Sequence, residues 1–371
     1  MGIEIEPYSP ARIEAVRAFN QRLKTGGCAF RFPEHSESTW LPKAEGETLH
    51  EEFFLATEGS DVRGGYILKH QPFWVAQETA SIGSLYLPLS EGTVNPEYAK
   101  VGLQLLLSAL KKQPLLYSLG MGGFHNPYPQ MLRAAGWKLF ALPFHFLVLN
   151  GRAFCRNITF LRQKPVLRAG LDIAAATGLG HIAFQIIHGV RRQKPLRGEA
   201  VTGELVNDFS SWADDLWSGE KSNYALVATR DSAALRRLYP CAKEGFLKLK
   251  TTAGGKVVGW AVMLDTVMKD HKQFGEMRVG SIIDCFASPG YEYTVIHAAA
   301  DCLAQRGVDM IVSNQAHRAW SSAFDRAGFL RGPSNFIFGA SPRLAVRIGP
   351  WERQHSLTHM TRGDGEGPSH L

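Results

Sequence analysis

The chain has 371 residues, of which 45% are hydrophobic and 20% charged. That length predicts two or three domains with sizeable cores, and that composition excludes disordered, collagen-like and coiled-coil proteins. The net charge of +7 is local: nine basic residues from Arg152 to Arg197 stand against Asp172 alone, a patch of +8 that leaves the remainder at −1. Such a patch favours docking to an acidic surface such as anionic lipid, and nucleic acid is not the expected partner.

The N-terminus, Met-Gly-Ile-Glu-Ile-Glu, lacks the basic and apolar regions of a signal peptide, so a cytoplasmic protein is expected. In the first half, residues 64–69 and 81–87 read as adjacent strands, bounded by turn residues. After Asn95-Pro96, Tyr98 to Lys112 carries Val101, Leu105 and Ala109 at helical spacing. Leu115 to Leu119 is a short apolar strand, and Pro129 to Ala135 a short helix stopped by Gly136.

The basic connector follows. Its middle, Ala169 to Val190, is as long as a bilayer span but is interrupted by four glycines and five polar residues. The preferred reading is a helix or helix pair buried between two domains; contact with a membrane interface and a true span are the alternatives.

In the second half, Val257 to Leu264 and Gly280 to Ala287 read as strands, Tyr293 to Gln305 as a helix stopped by Gly307, Met310 to Ser313 as a strand, and Arg318 to Ala327 as a helix stopped by Gly328. The order repeats that of the first half, and local matches hold the register. Pro96-x-Tyr98 recurs as Pro289-x-Tyr291 at an offset of 193, and His125 followed by Gly136-Trp137 recurs as His317 followed by Gly328-Phe329 at 192. A near-constant offset across several elements indicates a tandem duplication. The tail from Arg353 lacks apolar periodicity and reads as disordered. The expected organisation is therefore residues 1–150 and 200–350 as two copies, 151–199 as connector and 351–371 as tail. Five scattered cysteines without a C-x-x-C pair argue against disulfides and a zinc site, and no metal is expected.

Each copy implies a mixed α/β fold. With Pro96-Glu97-Tyr98, Gly102 and Gly136-Trp137 in the first copy, and Pro289-Gly290-Tyr291 and Gly328-Phe329 in the second, the chain resembles a tandem protein of the GNAT acyl-CoA N-acyltransferase superfamily. The pairing of copies is also similar to Fem-like aminoacyl transferases and polysaccharide-cluster acyltransferases. The resemblance implies two domains, each a mixed, mainly antiparallel sheet flanked by helices. It further implies transfer of an acetyl or longer acyl group from acetyl-CoA or another acyl-CoA to an amine or hydroxyl. The acceptor would be a small molecule or sugar, such as a cell-envelope or polysaccharide precursor.

By the same resemblance, Ala99, Lys100, Val101, Gly102, Leu103 and Gln104 form the phosphate-binding turn, where helix N–H groups meet the CoA pyrophosphate. Ala99 and Gln104 depart from the family pattern, and Gly102 also has a plain reading as a close-packing glycine. The matching stretch of the second copy, Glu292 to His297, has no glycine and carries an acid, so the first copy is the better CoA candidate. Asp284, expected among apolar neighbours, and His125 and His317 are the candidate catalytic residues, with Asn126 beside the pantetheine arm. Each also reads plainly as a strand-end or helix-start residue. Leu132 and Phe324 stand where the family keeps a tyrosine acid, which implies that neither copy uses it. Two rival readings follow: a scaffold that has lost the chemistry, and a Fem-like transferase whose connector meets RNA.

Overall fold

The computed structural model describes residues 2–159, 161–192, 200–243 and 245–365. The first half runs β1 (Glu4–Pro7), α1 (Ile13–Thr25), β2 (His50–Glu58), β3 (Asp61–Val75), β4 (Glu78–Ser90), α2 (Val101–Lys112), β5 (Leu116–Leu119), α3 (Pro127–Ala134), β6 (Lys138–Ala141) and β7 (Phe144–Val148). The connector forms α4 (Gly151–Asn157), α5 (Pro165–Thr177) and α6 (Leu179–Arg191). The second half opens with β8 (Val201–Val206), α7 (Ser211–Glu220), β9 (Leu226–Ala228), α8 (Ser232–Leu238), β10 (Leu247–Ala253) and β11 (Lys256–Val267). It continues through β12 (Arg278–Ala287), α9 (Glu292–Gln305), β13 (Met310–Asn314), α10 (Arg318–Arg326), β14 (Leu330–Gly332) and β15 (Ile337–Ala340). The chain then forms α11 (Pro342–Ile348), α12 (Trp351–Gln354) and β16 (Thr358–His359).

The two halves repeat one another, and the same residues stop the same helices. Gly136 ends α3 at φ 81° and Gly328 ends α10 at φ 89°, a left-handed conformation that favours glycine. Two mainly antiparallel sheets result, ordered β1-β2-β3-β4-β5-β15-β6 and β8-β10-β11-β12-β13-β7-β14, with β9 and β16 added beside β3 in the first.

These orders match position for position except that β7 and β15 have changed places. Phe146 of β7 pairs with Val312 and Leu330 in the second sheet. Phe338 of β15 pairs with Leu119 and Phe140 in the first. Each copy therefore completes its sheet with a strand from the other.

Two sequence expectations are corrected. The connector is helical, but it is not a buried seal. Gly151 packs so closely on α6 that a Cβ there would lie 2.6 Å from the Gly180 carbonyl, and Ala175 is buried. The other flank faces outward, with Ile173 62%, Ile186 60% and Val190 82% exposed. Among the described residues no single helix is long and apolar enough to cross a membrane, and α5 and α6 meet at an 85° bend.

The tail, expected to be disordered, is ordered as far as Gly365, and residues 366–371 lie outside the described residues. Thr358 and His359 pair in parallel with Leu226 and Val227, and Thr358, His359, Thr361 and Asp364 are fully buried. The order comes from pairing and charge contacts with distant residues, which a search for apolar periodicity does not register.

Candidate active site

Both copies share a splayed pair of parallel strands next to a helix N-terminus. In the first, β4 and β5 pair only at Gly83↔Leu116 and Ser84↔Tyr117. In the second, β12 and β13 pair at Val279 to Ser281 and then part. At the point of parting a serine hydroxyl spans the gap in each: Ser118 donates to the Leu85 carbonyl and Ser313 to that of Ile282, both at 2.7 Å. Each fourth strand also bulges there. Leu87 and Pro88 of β4 lie opposite Tyr66 alone, and Ile283 of β12 is an extra residue against β11. Leu87 takes φ 48°, and a bulge leaves a ladder N–H unpaired.

In the second copy the chain fills its own cleft. Thr361 forms a bridge with Gln315, and the Ala316 N–H donates to the Met360 carbonyl at 2.9 Å. The expectation of Asp284 as a carboxylate among apolar neighbours is corrected. It is fully buried with Oδ2 2.9 Å from Arg230 Nε, while Arg230 Nη2 reaches Asp364 at 2.6 Å. Tyr239 and Thr361 donate hydroxyl hydrogen bonds to it at 2.7 and 3.2 Å. Burial pushes Asp284 up to about 6, against the pull of Arg230.

One guanidinium shared by two buried carboxylates ties β12 to the C-terminal turn. Gly363 completes the fit, since a Cβ there would lie 2.1 Å from the Tyr239 hydroxyl. The start of α9 carries an acid, Glu292, in its first turn, where its carboxylate accepts the N–H of the preceding Gly290 at 2.8 Å and would repel a phosphate.

In the first copy both features stay clear. Among the described residues no backbone bridge spans the β4–β5 divergence. A Cβ on Gly102 would meet only the Ser90 Cβ at 3.9 Å, so packing is not the reason for glycine there. The first N–H groups of α2 have no intrahelical partner. Ala99, Lys100, Leu103 and Gln104 are exposed around them, while the Val101 side chain anchors the turn in the core. Buried Glu91 braces the loop before α2, held at 3.0 Å by Arg22 and 3.3 Å by Arg63.

The register also builds a polar row that no local pattern announces. Glu51, Lys69, Ser84 and Tyr117 are direct neighbours across β2, β3, β4 and β5, and all four are buried. Lys69 donates to the carbonyls of Asp364 and Gly365 at 2.8 and 3.0 Å, and Tyr117 to that of Asp364 at 2.7 Å. Burial lowers Lys69 to about 8 and raises Glu51, which accepts hydroxyl hydrogen bonds from Ser38 and Tyr86.

The expected catalytic residues do not converge, as no hydrogen bond or ion pair joins them among the described residues. His125 is exposed at the start of α3, where its carbonyl accepts from Gln130, and Asn126 caps the loop by donating to the Met121 carbonyl at 3.2 Å. His317, at φ 78°, caps α10 by accepting the Ala319 N–H, and burial lowers it to about 4.

The sequence reading overlooked a tyrosine. Leu132 is indeed buried in the core, but Tyr128, one turn earlier on the same helix face, places its hydroxyl 3.1 Å from Ser118 at the divergence. The four-residue spacing from Leu132 was the available signal. For a cation, atoms of His50, Glu52 and His70 lie within 4.8 Å of one another. That set is internally satisfied, because Glu52 accepts from Lys43 at 2.7 Å and is 2.9 Å from His70.

No protein-family model matches the chain, and no curated protein is similar to it in sequence. Solved structures are similar in fold. Saccharomyces cerevisiae N-myristoyltransferase with bound myristoyl-CoA and inhibitors superposes with a TM-score of 0.53 at 9% identity, over 97% of this chain and 86% of its own. A probable N-acyltransferase from Enterococcus faecalis gives 0.51 at 12% identity, over 93% and 74%. A tandem GNAT protein from the clavulanic acid biosynthesis pathway gives 0.50 at 12% identity, over 94% and 99%. The fold is that of a tandem GNAT protein.

Proposed function

We propose that the chain is an acyl-CoA-dependent acyltransferase whose thioester site lies in the first copy. The observation that carries this is an asymmetry. The first copy keeps an open helix N-terminus beside an unbridged strand divergence, whereas the second bridges its divergence with its own backbone and sets the acid Glu292 in the first turn of α9. The fold neighbours, one of them solved with bound myristoyl-CoA, support an acyl-CoA as donor.

The N–H groups at the start of α2, with Lys100 beside them, take the CoA diphosphate. The Leu87 N–H, released by the bulge and adjacent to a proline that has none, polarises the thioester carbonyl. An acceptor amine or hydroxyl attacks that carbon, a C–N or C–O bond forms and the C–S bond breaks. Tyr128 gives the departing sulfur its proton and is restored by the proton that the acceptor loses. A cell-envelope or polysaccharide precursor is the acceptor proposed, on the two-copy architecture alone.

Thermal shift with acetyl-CoA, myristoyl-CoA and CoA tests the site; a ligand at about 100 times its Kd stabilises by about 2.7 kcal/mol. Gly102→Glu should abolish the shift and Gly102→Ala should keep it. Thr294→Glu is the second-copy control, because Val295 is wholly buried. Tyr128→Phe should retain CoA binding and lose roughly 100-fold or more in kcat. Shifts insensitive to Gly102→Glu, or none with any of the three, would overturn the proposal.

A further inference from the structure

Of the fifteen large apolar side chains that are exposed among the described residues, eight belong to α5 and α6. On α6 they form one stripe, Leu179, Ile182, Ile186, Ile187 and Val190, at the spacing of a helix face. An amphipathic helix of a globular protein turns such a stripe inward. Here α6 sends Gly180 and Phe184 toward the body, against Cys155 and Phe154 of α4, and presents the isoleucines to the outside. Val166 and Ile173 continue the surface onto α5, at 85% and 62% exposure.

Cations border this apolar surface. At the foot of α5 lies a groove of about 470 Å³, lined among others by Arg156, Arg162, Arg168, His271 and Lys272, with Asp270 and Glu276 as its acids. Arg162 is occupied by Asp172 and the Cys155 carbonyl, but Arg156, Arg168 and Lys272 are exposed and form no ion pair among the described residues. At the other end α6 closes on Arg191 and Arg192, the latter paired with Asp301 at 2.8 Å.

We propose that the bent α5–α6 pair is a membrane anchor that lies in the interface of an anionic bilayer. The isoleucine stripe enters the acyl boundary, and the basic groove receives lipid phosphate headgroups. Charge complementarity selects this occupant. A second copy of the chain would bring like-charged borders together, whereas an anionic leaflet neutralises them while covering the apolar stripe. Lying in the plane follows from length: each helix has 13 residues, about 20 Å of rise, against a core of about 30 Å. The 85° bend prevents the two from making one continuous span. The anchor is independent of the acyl-transfer proposal, since none of its residues belongs to the thioester site.

The test is co-sedimentation of the full chain with phosphatidylcholine vesicles, with and without about 30 mol% phosphatidylglycerol. Wild type should sediment with the anionic vesicles only, be released by added salt, and be extracted by alkaline carbonate. Ile182→Asp with Ile186→Asp, and separately Arg156→Gln with Arg168→Gln and Lys272→Gln, should each lower partitioning at least about tenfold at an unchanged Tm, because all five side chains are exposed. Equal binding to neutral vesicles, no binding to either, or resistance to carbonate would overturn the proposal. So would a dimer in analytical ultracentrifugation that the double aspartate variant dissociates.

Discussion

Asp284 carries opposite expectations as a base and as an anchor, and stability separates them. Arg230 lies between Asp284 and Asp364, all three fully buried. Removing the cation strands two carboxylates, while removing Asp284 leaves Arg230 paired with Asp364. Losing one partner of a buried pair costs on the order of 3–5 kcal/mol. Arg230→Met should therefore cost at least that much in urea unfolding, and Asp284→Asn distinctly less. A variant Asp284→Asn with wild-type stability and no turnover would return Asp284 to the catalytic role. A second residue-scale effect is set by acid. His145 is fully buried on the exchanged strand β7, stacked on Phe324 at 4.7 Å, and burial lowers it to about 4. Its ring binds a proton more readily in the unfolded chain, at the ordinary value near 6.5, than in the fold. Stability is thus intact above pH 6.5 and falls as pH drops toward 4, by on the order of 3 kcal/mol for this residue. The difference in unfolding free energy between wild type and His145→Phe, followed from pH 7 to 4, should show that slope; a flat difference would remove His145 as its source.

At the scale of elements, what was legible from sequence is what local chemistry writes. The helices α2, α3, α9 and α10 lie within a few residues of their expected bounds because apolar spacing and glycine stops are local signals. The place of Gly102 in the first turn of α2 was legible for the same reason. Partnership was not legible. The bulges at Leu87 and Ile283 exist only relative to the facing strand, and the row Glu51–Lys69–Ser84–Tyr117 appears only once the register is known. Asp284, in an otherwise apolar strand, looked like a perturbed catalytic base because its partners Arg230 and Thr361 stand 54 and 77 residues away. The serines Ser118 and Ser313, each spanning its divergence, were a usable trace: both fall at the same place in short apolar strands, at an offset of 195. Repetition of a polar residue inside paired strands marks a shared task more firmly than either residue alone.

For the whole molecule, the exchange of β7 and β15 decides how the chain folds. Phe338 and Ala340 sit in the core of the first half beside Tyr117 and Leu119, and Leu147 sits in that of the second beside Ile311 and Phe324. A fragment of residues 1–150 would leave β5 and β6 with open edges, and would expose β7, an apolar strand evolved to lie between two others. The C-terminal turn adds a second tie, since Lys69 of the first sheet holds the Asp364 and Gly365 carbonyls. Neither half contains a complete core, so the chain should unfold as one unit despite its length. Calorimetry should show a single transition whose van't Hoff and calorimetric enthalpies agree. Residues 1–150 and 151–371 should aggregate when produced alone and assemble when produced together, each supplying the other's missing strand. Two separated melting transitions, or a soluble and cooperatively folded 1–150 fragment, would mean that the exchanged strands are accessories to two self-sufficient domains.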